Sequence, residues 1–218
     1  MNRRHTELLG TAEWAAFLHE EVLPVVTHGV DLGDDVLEIG PGPGAATEWL
    51  RHRAKRLVAL ELEPAAAAAL GQRFAGTNVE AVVGDATALP YPDESFDTVG
   101  MFTMLHHVPT NALQNAILAG AQRALRPGGV LIGSDSLPSD RLHHFHEGDT
   151  YNPVEPAAFL TRLQTLGFGE ITITVGDRLL FRARKEPAAE QGNGTLNGGA
   201  TRPFGLKVLR SFIRTGAG

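Results

Sequence analysis

Three alternate glycines, Gly40, Gly42 and Gly44, stand directly behind a short apolar run, Val36, Leu37 and Ile39, that Glu38 interrupts. Glycine has no Cβ and accepts positive φ, so such a loop lets the main chain come close to a ligand. The residues behind it, Ala45 to Leu50, read as the start of a helix whose unpaired N–H groups would face the same ligand. A nucleotide-like molecule is the predicted guest. The spacing alone leaves more than one cofactor open. Read as Gly40-x-Gly42-x-x-Ala45 with an acid at Glu61, it fits a dinucleotide fingerprint.

Other residues with chemical capacity follow at the ends of later apolar runs. Glu61 closes the run Arg56 to Glu61, where a carboxylate can accept hydrogen bonds from two vicinal ribose hydroxyls. Glu63 competes for that role, or serves as a first-turn charge on the helix that Pro64 starts. Gly84-Asp85-Ala86 ends the third run, and there an Asp and the N–H behind it can pair with the edge of an adenine. Deprotonating a phenol or an amine calls for a base near neutrality, a task suited to histidine. His106 and His146, with Asp135 behind them, are the candidates. The segment 137–156 also holds His143 and His144, but no established metal-ligand spacing is present, and a solvated substrate loop without metal is predicted.

The elements that must position these groups alternate between strand and helix. Strands are predicted at Val36 to Ile39, Arg56 to Glu61, Val79 to Val83, Phe96 to Phe102 and Val130 to Ile132, the last behind the turn Leu125-Arg126-Pro127-Gly128-Gly129. Thr103 to Val108 opens a helix in this reading. Pro156 to Leu166 is a further helix. Ile171 to Val175 and Leu179 to Ala183 then form a hairpin around a two-residue turn, Gly176-Asp177. Ahead of the glycines, Trp14, Phe17, Leu18 and Val22 recur at helical spacing until Pro24 breaks the pattern.

Taken together, Glu38-x-Gly40-x-Gly42-x-Gly44, Glu61, Gly84-Asp85-Ala86, Leu125-Arg126-Pro127-Gly128-Gly129 and the closing hairpin resemble the class I S-adenosylmethionine-dependent methyltransferases. Ala88 to Asp93, Ser95-Phe96-Asp97 and Leu105-His106-His107-Val108 are similar to stretches of that family's small-molecule, quinone-biosynthesis-like group (methyltransferase type 11), and His146 to Asp149 with Tyr151-Asn152-Pro153 to an actinobacterial-type branch. The resemblance implies an α/β Rossmann-like methyltransferase fold: a seven-stranded, mostly parallel sheet with an antiparallel C-terminal hairpin and helices on both faces. It implies S-adenosylmethionine as cofactor, S-adenosylhomocysteine as product, and an O, N or C nucleophile of a small molecule as acceptor. The cofactor residues it implies are Glu38, Gly40, Pro41, Gly42, Gly44, Glu61, Leu62, Gly84, Asp85, Ala86, Phe102, Thr103 and His107. The segment 1–29 becomes a helical lid, with Trp14 and Phe17 enclosing ligand, and 30–185 the catalytic domain. Two alternatives stay open: a cofactor-binding partner or sensor without activity, and an NAD-dependent oxidoreductase. No Tyr-x-x-x-Lys pair is present for the latter.

Composition narrows the partners. The chain has 218 residues, 43% hydrophobic and 20% charged, enough for one substantial core. Its net charge is −6, and residues 186–218 carry +2, which leaves −8 on the remainder and makes nucleic acid a poor electrostatic match. Without cysteine there is no thiolate nucleophile, no thiolate metal site and no disulfide, as in a cytoplasmic protein. Acids at Glu7, Glu13, Glu20 and Glu21 are at odds with a signal peptide. Beyond Lys185, residues 186–203 read as a flexible linker. Residues 204–218 read as a basic amphipathic helix that docks on the domain, a partner subunit or a membrane surface.

Overall fold

A computed structural model describes residues 7–187. Helix α1 (Ala12–Phe17) is capped by Thr11, whose hydroxyl accepts from the Trp14 N–H. A π-helical turn, Leu18–Val22, leads on into α2 (Leu23–Val26). Pro24 therefore does not end the helix. Its ring lacks an N–H and crowds the carbonyl four residues back, and the wider turn before it absorbs the misfit.

The rest alternates between strand and helix: β1 (Asp35–Ile39), α3 (Ala45–Leu50), β2 (Arg56–Glu61), α4 (Pro64–Arg73), β3 (Val79–Val83), β4 (Phe96–Phe102), α5 (Asn111–Ala124), β5 (Leu125–Asp135), α6 (Asp140–Phe145), α7 (Pro156–Thr165), β6 (Phe168–Val175) and β7 (Leu179–Lys185). The seven strands form one sheet in the order β3-β2-β1-β4-β5-β7-β6. Pairings from β3 to β5 are parallel, whereas β7 runs antiparallel to both β5 and β6. An inserted antiparallel β7 separates this sheet from the all-parallel dinucleotide order.

Both faces of the sheet are covered, which is why its central strands are apolar almost throughout. Side chains alternate across the pleat. Leu37, Val58, Val99 and Leu131 pack with Ile117 and Leu118 of α5 and Phe159 and Leu163 of α7. Val36, Leu57, Val130 and Ile132 pack on the other side with Leu18, Val22, Leu23 and Val26 of the N-terminal helix and Leu50 of α3. At the amino ends of the strands, Arg126 bridges Asp35 (3.0 Å) and Asp97 (2.7 Å), so the Ser-Phe-Asp stretch is structural and remote from ligand.

Four local expectations change. Thr103 to Val108 forms no α-helix but a single 3₁₀ turn, Leu105–His107, because Pro109 holds Val108 in an extended conformation. β5 starts at Leu125, earlier than expected. The closing hairpin turns through three residues, Gly176, Asp177 and Arg178, since Val175 pairs directly with Leu179. The segment after β5 is no solvated loop, for it forms α6 and buries His146 behind it at 2% exposure. Among the described residues no helix is long and apolar enough to cross a membrane.

Candidate active site

The strands of the parallel part end on one side of the molecule, where open α/β sheets bind their ligands. A cleft of about 990 Å³ lies there. Gly40, Pro41 and Gly42 form its floor next to β1. Gly42 has φ +53°, and a Cβ added to it would meet no atom within 4 Å, so the loop leaves open space for a guest. Gly44 does not line the cleft. With φ +88°, it lies where a Cβ would come within 2.7 Å of both Leu70 and Phe74, so its bareness serves the packing of α3 on α4.

Glu61 reaches the cleft from the end of β2. Its carboxylate accepts from the N–H groups of Leu62 (2.9 Å), Glu63 (3.3 Å) and Gly42 (3.3 Å), which fixes it beside the glycine loop. Leu62 stands next to it, 61% exposed on the cleft wall. Glu63 donates its N–H to Glu61 and marks the N-terminal boundary of α4. From β3, Asp85 caps the short turn Ala86–Ala88: its Oδ1 accepts from the N–H and the hydroxyl of Thr87, both at 2.8 Å. These bonds hold its carboxyl below the usual pKa, and Gly84 and Ala86 line the cleft on either side.

Glu38, also on the wall, is 1% exposed. Burial pushes its carboxyl up to about 7, and the nearby Glu61 adds to the effect against a 2.6 Å hydrogen bond from the Thr47 hydroxyl. From β4, Phe102 and Thr103 complete the floor. Thr103 holds φ +58°, a costly conformation for a β-branched residue. Its N–H donates to Ser134 O at 2.7 Å, which ties the bend to β5.

The expected catalytic groups converge behind the wall rather than on it. Asp135 receives the Leu105 N–H (2.8 Å), the Ser136 N–H (2.6 Å) and Nδ1 of His106 (2.6 Å), and it is 1% exposed. His106 is fully buried; His107, on the same turn, is half-buried and faces the cleft. His146 closes the group from beyond α6, with ring centroids 5.1 Å from His106 and 5.3 Å from His107. Burial lowers its pKa. His143 and His144 are exposed on α6, outside this group.

Residues 37–133 match the model of a family described as a methyltransferase domain. That stretch is similar to methyltransferase domains. A probable S-adenosylmethionine-dependent methyltransferase of Mycolicibacterium smegmatis is 32% identical over 166 residues, 72% of this chain and 60% of that protein. A probable ribosomal RNA small subunit methyltransferase A of Methanosarcina mazei is 48% identical over 67 residues, 30% of this chain and 24% of that protein. The chain thus spans less than two thirds of the length of these curated relatives. Among solved structures, the N-methyltransferase NodS of Bradyrhizobium japonicum in complex with S-adenosyl-L-homocysteine shares the fold, with TM-score 0.64 and 21% identity over 84% of this chain and 97% of that one.

The cleft is closed by parts that spacing did not disclose. Trp14 and Leu18 line it from the N-terminal segment, which His19 ties to α3 by a 2.8 Å bond from Nε2 to Ala45 O. Phe17 turns instead toward Trp14, 5.6 Å away. Arg178, in the hairpin turn, lies 5.0 Å from both rings and donates to Thr103 Oγ1 at 3.2 Å. One cation thereby joins the two ends of the described chain across the domain's floor. Nothing in the sequence signalled Arg178, which the two-residue reading of the turn left out and which no spacing placed beside Trp14. The expected linker 186–203 and amphipathic helix 204–218 fall almost wholly outside the described residues.

Proposed function

We propose that this protein transfers the methyl group of S-adenosylmethionine to an oxygen, nitrogen or carbon nucleophile of a small molecule. The observation that carries the reading is the convergence of the glycine loop, Glu61 and Asp85 on a single cleft of about 990 Å³. The residues fit the cofactor. Glu61 is oriented to accept from ribose hydroxyls, and Asp85 with the Ala86 N–H meets the adenine edge. Leu62 supplies an apolar face beside it. The open space over Gly42 suits the chain between, and Glu38 stands where an ammonium group would be balanced. When bound, S-adenosylmethionine supplies a methyl group already activated on sulfur.

What remains for the protein is alignment, worth about 7–11 kcal/mol when reacting atoms are held in place, and exclusion of water. Trp14, Leu18 and Met104 do the second, as apolar walls of the cleft. His107 places its ring on the cleft wall, with His106, His146 and Asp135 packed behind it. A cleft near the upper end of the about 300–1,000 Å³ common for small ligands supports a small acceptor. So does a net charge of −6, which repels phosphate backbones.

The test is transfer of labelled methyl from S-adenosylmethionine to panels of phenols, quinols and amines, with structured ribosomal RNA alongside. Labelling of a small acceptor and none of RNA is expected. Labelling confined to RNA would overturn the choice of acceptor.

A further inference from the structure

His106, His107 and His146 each offer a ring nitrogen, and these three atoms lie within 4.8 Å of one another. The sequence separates them by one and by thirty-nine positions, so no ligand motif marks them. Folding brings them together: the 3₁₀ turn after β4 carries two, and the residue capping α6 carries the third. Ring centroids stand 4.1, 5.1 and 5.3 Å apart.

The groups around two of the rings fix their tautomers. Asp135 Oδ1 lies 2.6 Å from His106 Nδ1, and an ionised carboxylate can only accept, so Nδ1 carries a proton and, in the neutral ring, Nε2 keeps the lone pair. Leu142 O lies 2.6 Å from His146 Nδ1, and a carbonyl imposes the same choice. Metal-binding histidines show this arrangement, one ring N–H given to a carboxylate or a main-chain carbonyl and the other nitrogen given to the ion. Tyr151 stacks on His146 at 4.6 Å and 19°, which holds the ring plane. Two of the rings are buried at 0% and 2% exposure, and the third opens on the cleft.

We propose that His106, His107 and His146 bind one divalent transition-metal ion, zinc or a metal of similar imidazole preference. Three imidazoles are a donor set of catalytic zinc, with the fourth position left to water or substrate. Bonds of about 2.0–2.1 Å require the three nitrogens to draw somewhat closer than they stand here. His146 follows a short helix and precedes Gly148, at φ +78°, so its segment can make that adjustment. With His107 on the cleft wall, the fourth position faces the acceptor end, a placement that rests on the methyl-transfer reading; the ion site itself does not.

The test uses the full chain without an affinity tag, stripped with chelator and titrated with Zn²⁺ by calorimetry, and with Co²⁺ by visible absorption. One equivalent is expected to bind, with a four-coordinate cobalt spectrum. Removal of a ligand in His107→Ala or His146→Ala is expected to weaken binding by more than the about 10- to 100-fold typical of losing an outer-shell partner. Asp135→Asn is expected to fall within that range, and His143→Ala, outside the trio, to bind as the wild type does. His107 is half-buried, so its variant keeps the test decisive if His146→Ala fails to fold. Absence of stoichiometric binding, or equal binding in His107→Ala, would overturn the site. S-adenosylhomocysteine binding, followed in the same samples, separates the two readings: its loss with the ion retained would count against methyl transfer, the reverse against the metal.

Discussion

Glu38 is where one residue's chemistry has the widest consequence. Its carboxyl is buried and raised from 4.5 to about 7, so between those values the folded protein holds a proton that the unfolded chain has released. Stability therefore falls as pH rises through this window. Two and a half units at about 1.4 kcal/mol each amount to roughly 3–4 kcal/mol, present in full below pH 4.5 and lost above pH 7. Glu38→Gln keeps an oxygen for the Thr47 hydroxyl and removes the titration. Urea unfolding at pH 5 and pH 8 should show wild type losing about 3 kcal/mol more than the variant between the two; parallel losses would mean that Glu38 ionises freely. Glu38, Glu61 and Asp85 were legible in the sequence because each stands at the last positions of an apolar run, where strand ends are easily read. Arg178 was not, since its partners Trp14 and Phe17 come from the opposite end of the chain.

At the scale of elements, two glycines separated only by Pro43 divide their labour. Gly42 opens on the cleft, whereas Gly44 is pressed against Leu70 and Phe74. Both have positive φ, so alanine at either costs about 1–2 kcal/mol in backbone strain. Gly44→Ala adds overpacking between α3 and α4, about 1–3 kcal/mol more. Thermal unfolding should thus place Gly44→Ala clearly below Gly42→Ala, while Gly42→Ala should lose more cofactor affinity; an inverted order of stability would contradict the division. Alternating glycines announce a loop in the sequence, but not which of them touches the ligand, because that depends on the helix packed against it. The same limit accounts for Pro24 and the stretch Thr103 to Val108. Proline signals a break, and only the neighbouring core decides whether the chain yields by a π-helical turn or by leaving the helix altogether.

For the whole molecule, the succession of strands along the chain was legible from the alternation of apolar runs with helical spacing, whereas the antiparallel close was implied by the resemblance. The gathering of His106, His107 and His146 was not, since it depends on how α6 folds back after β5, and polar composition there reads as a loop. The central claim is that the cleft at the strands' carboxyl ends is a site for S-adenosylmethionine. Calorimetric titration of the full chain with S-adenosylmethionine, S-adenosylhomocysteine and NADH, repeated on Asp85→Ala, tests it most directly. Asp85 is exposed, so its variant is expected to fold. The account predicts that the first two bind the wild type, that Asp85→Ala binds them at least tenfold more weakly, roughly 1.4 kcal/mol, and that NADH does not bind. Binding of NADH alone, or binding of S-adenosylmethionine unchanged by Asp85→Ala, would contradict it.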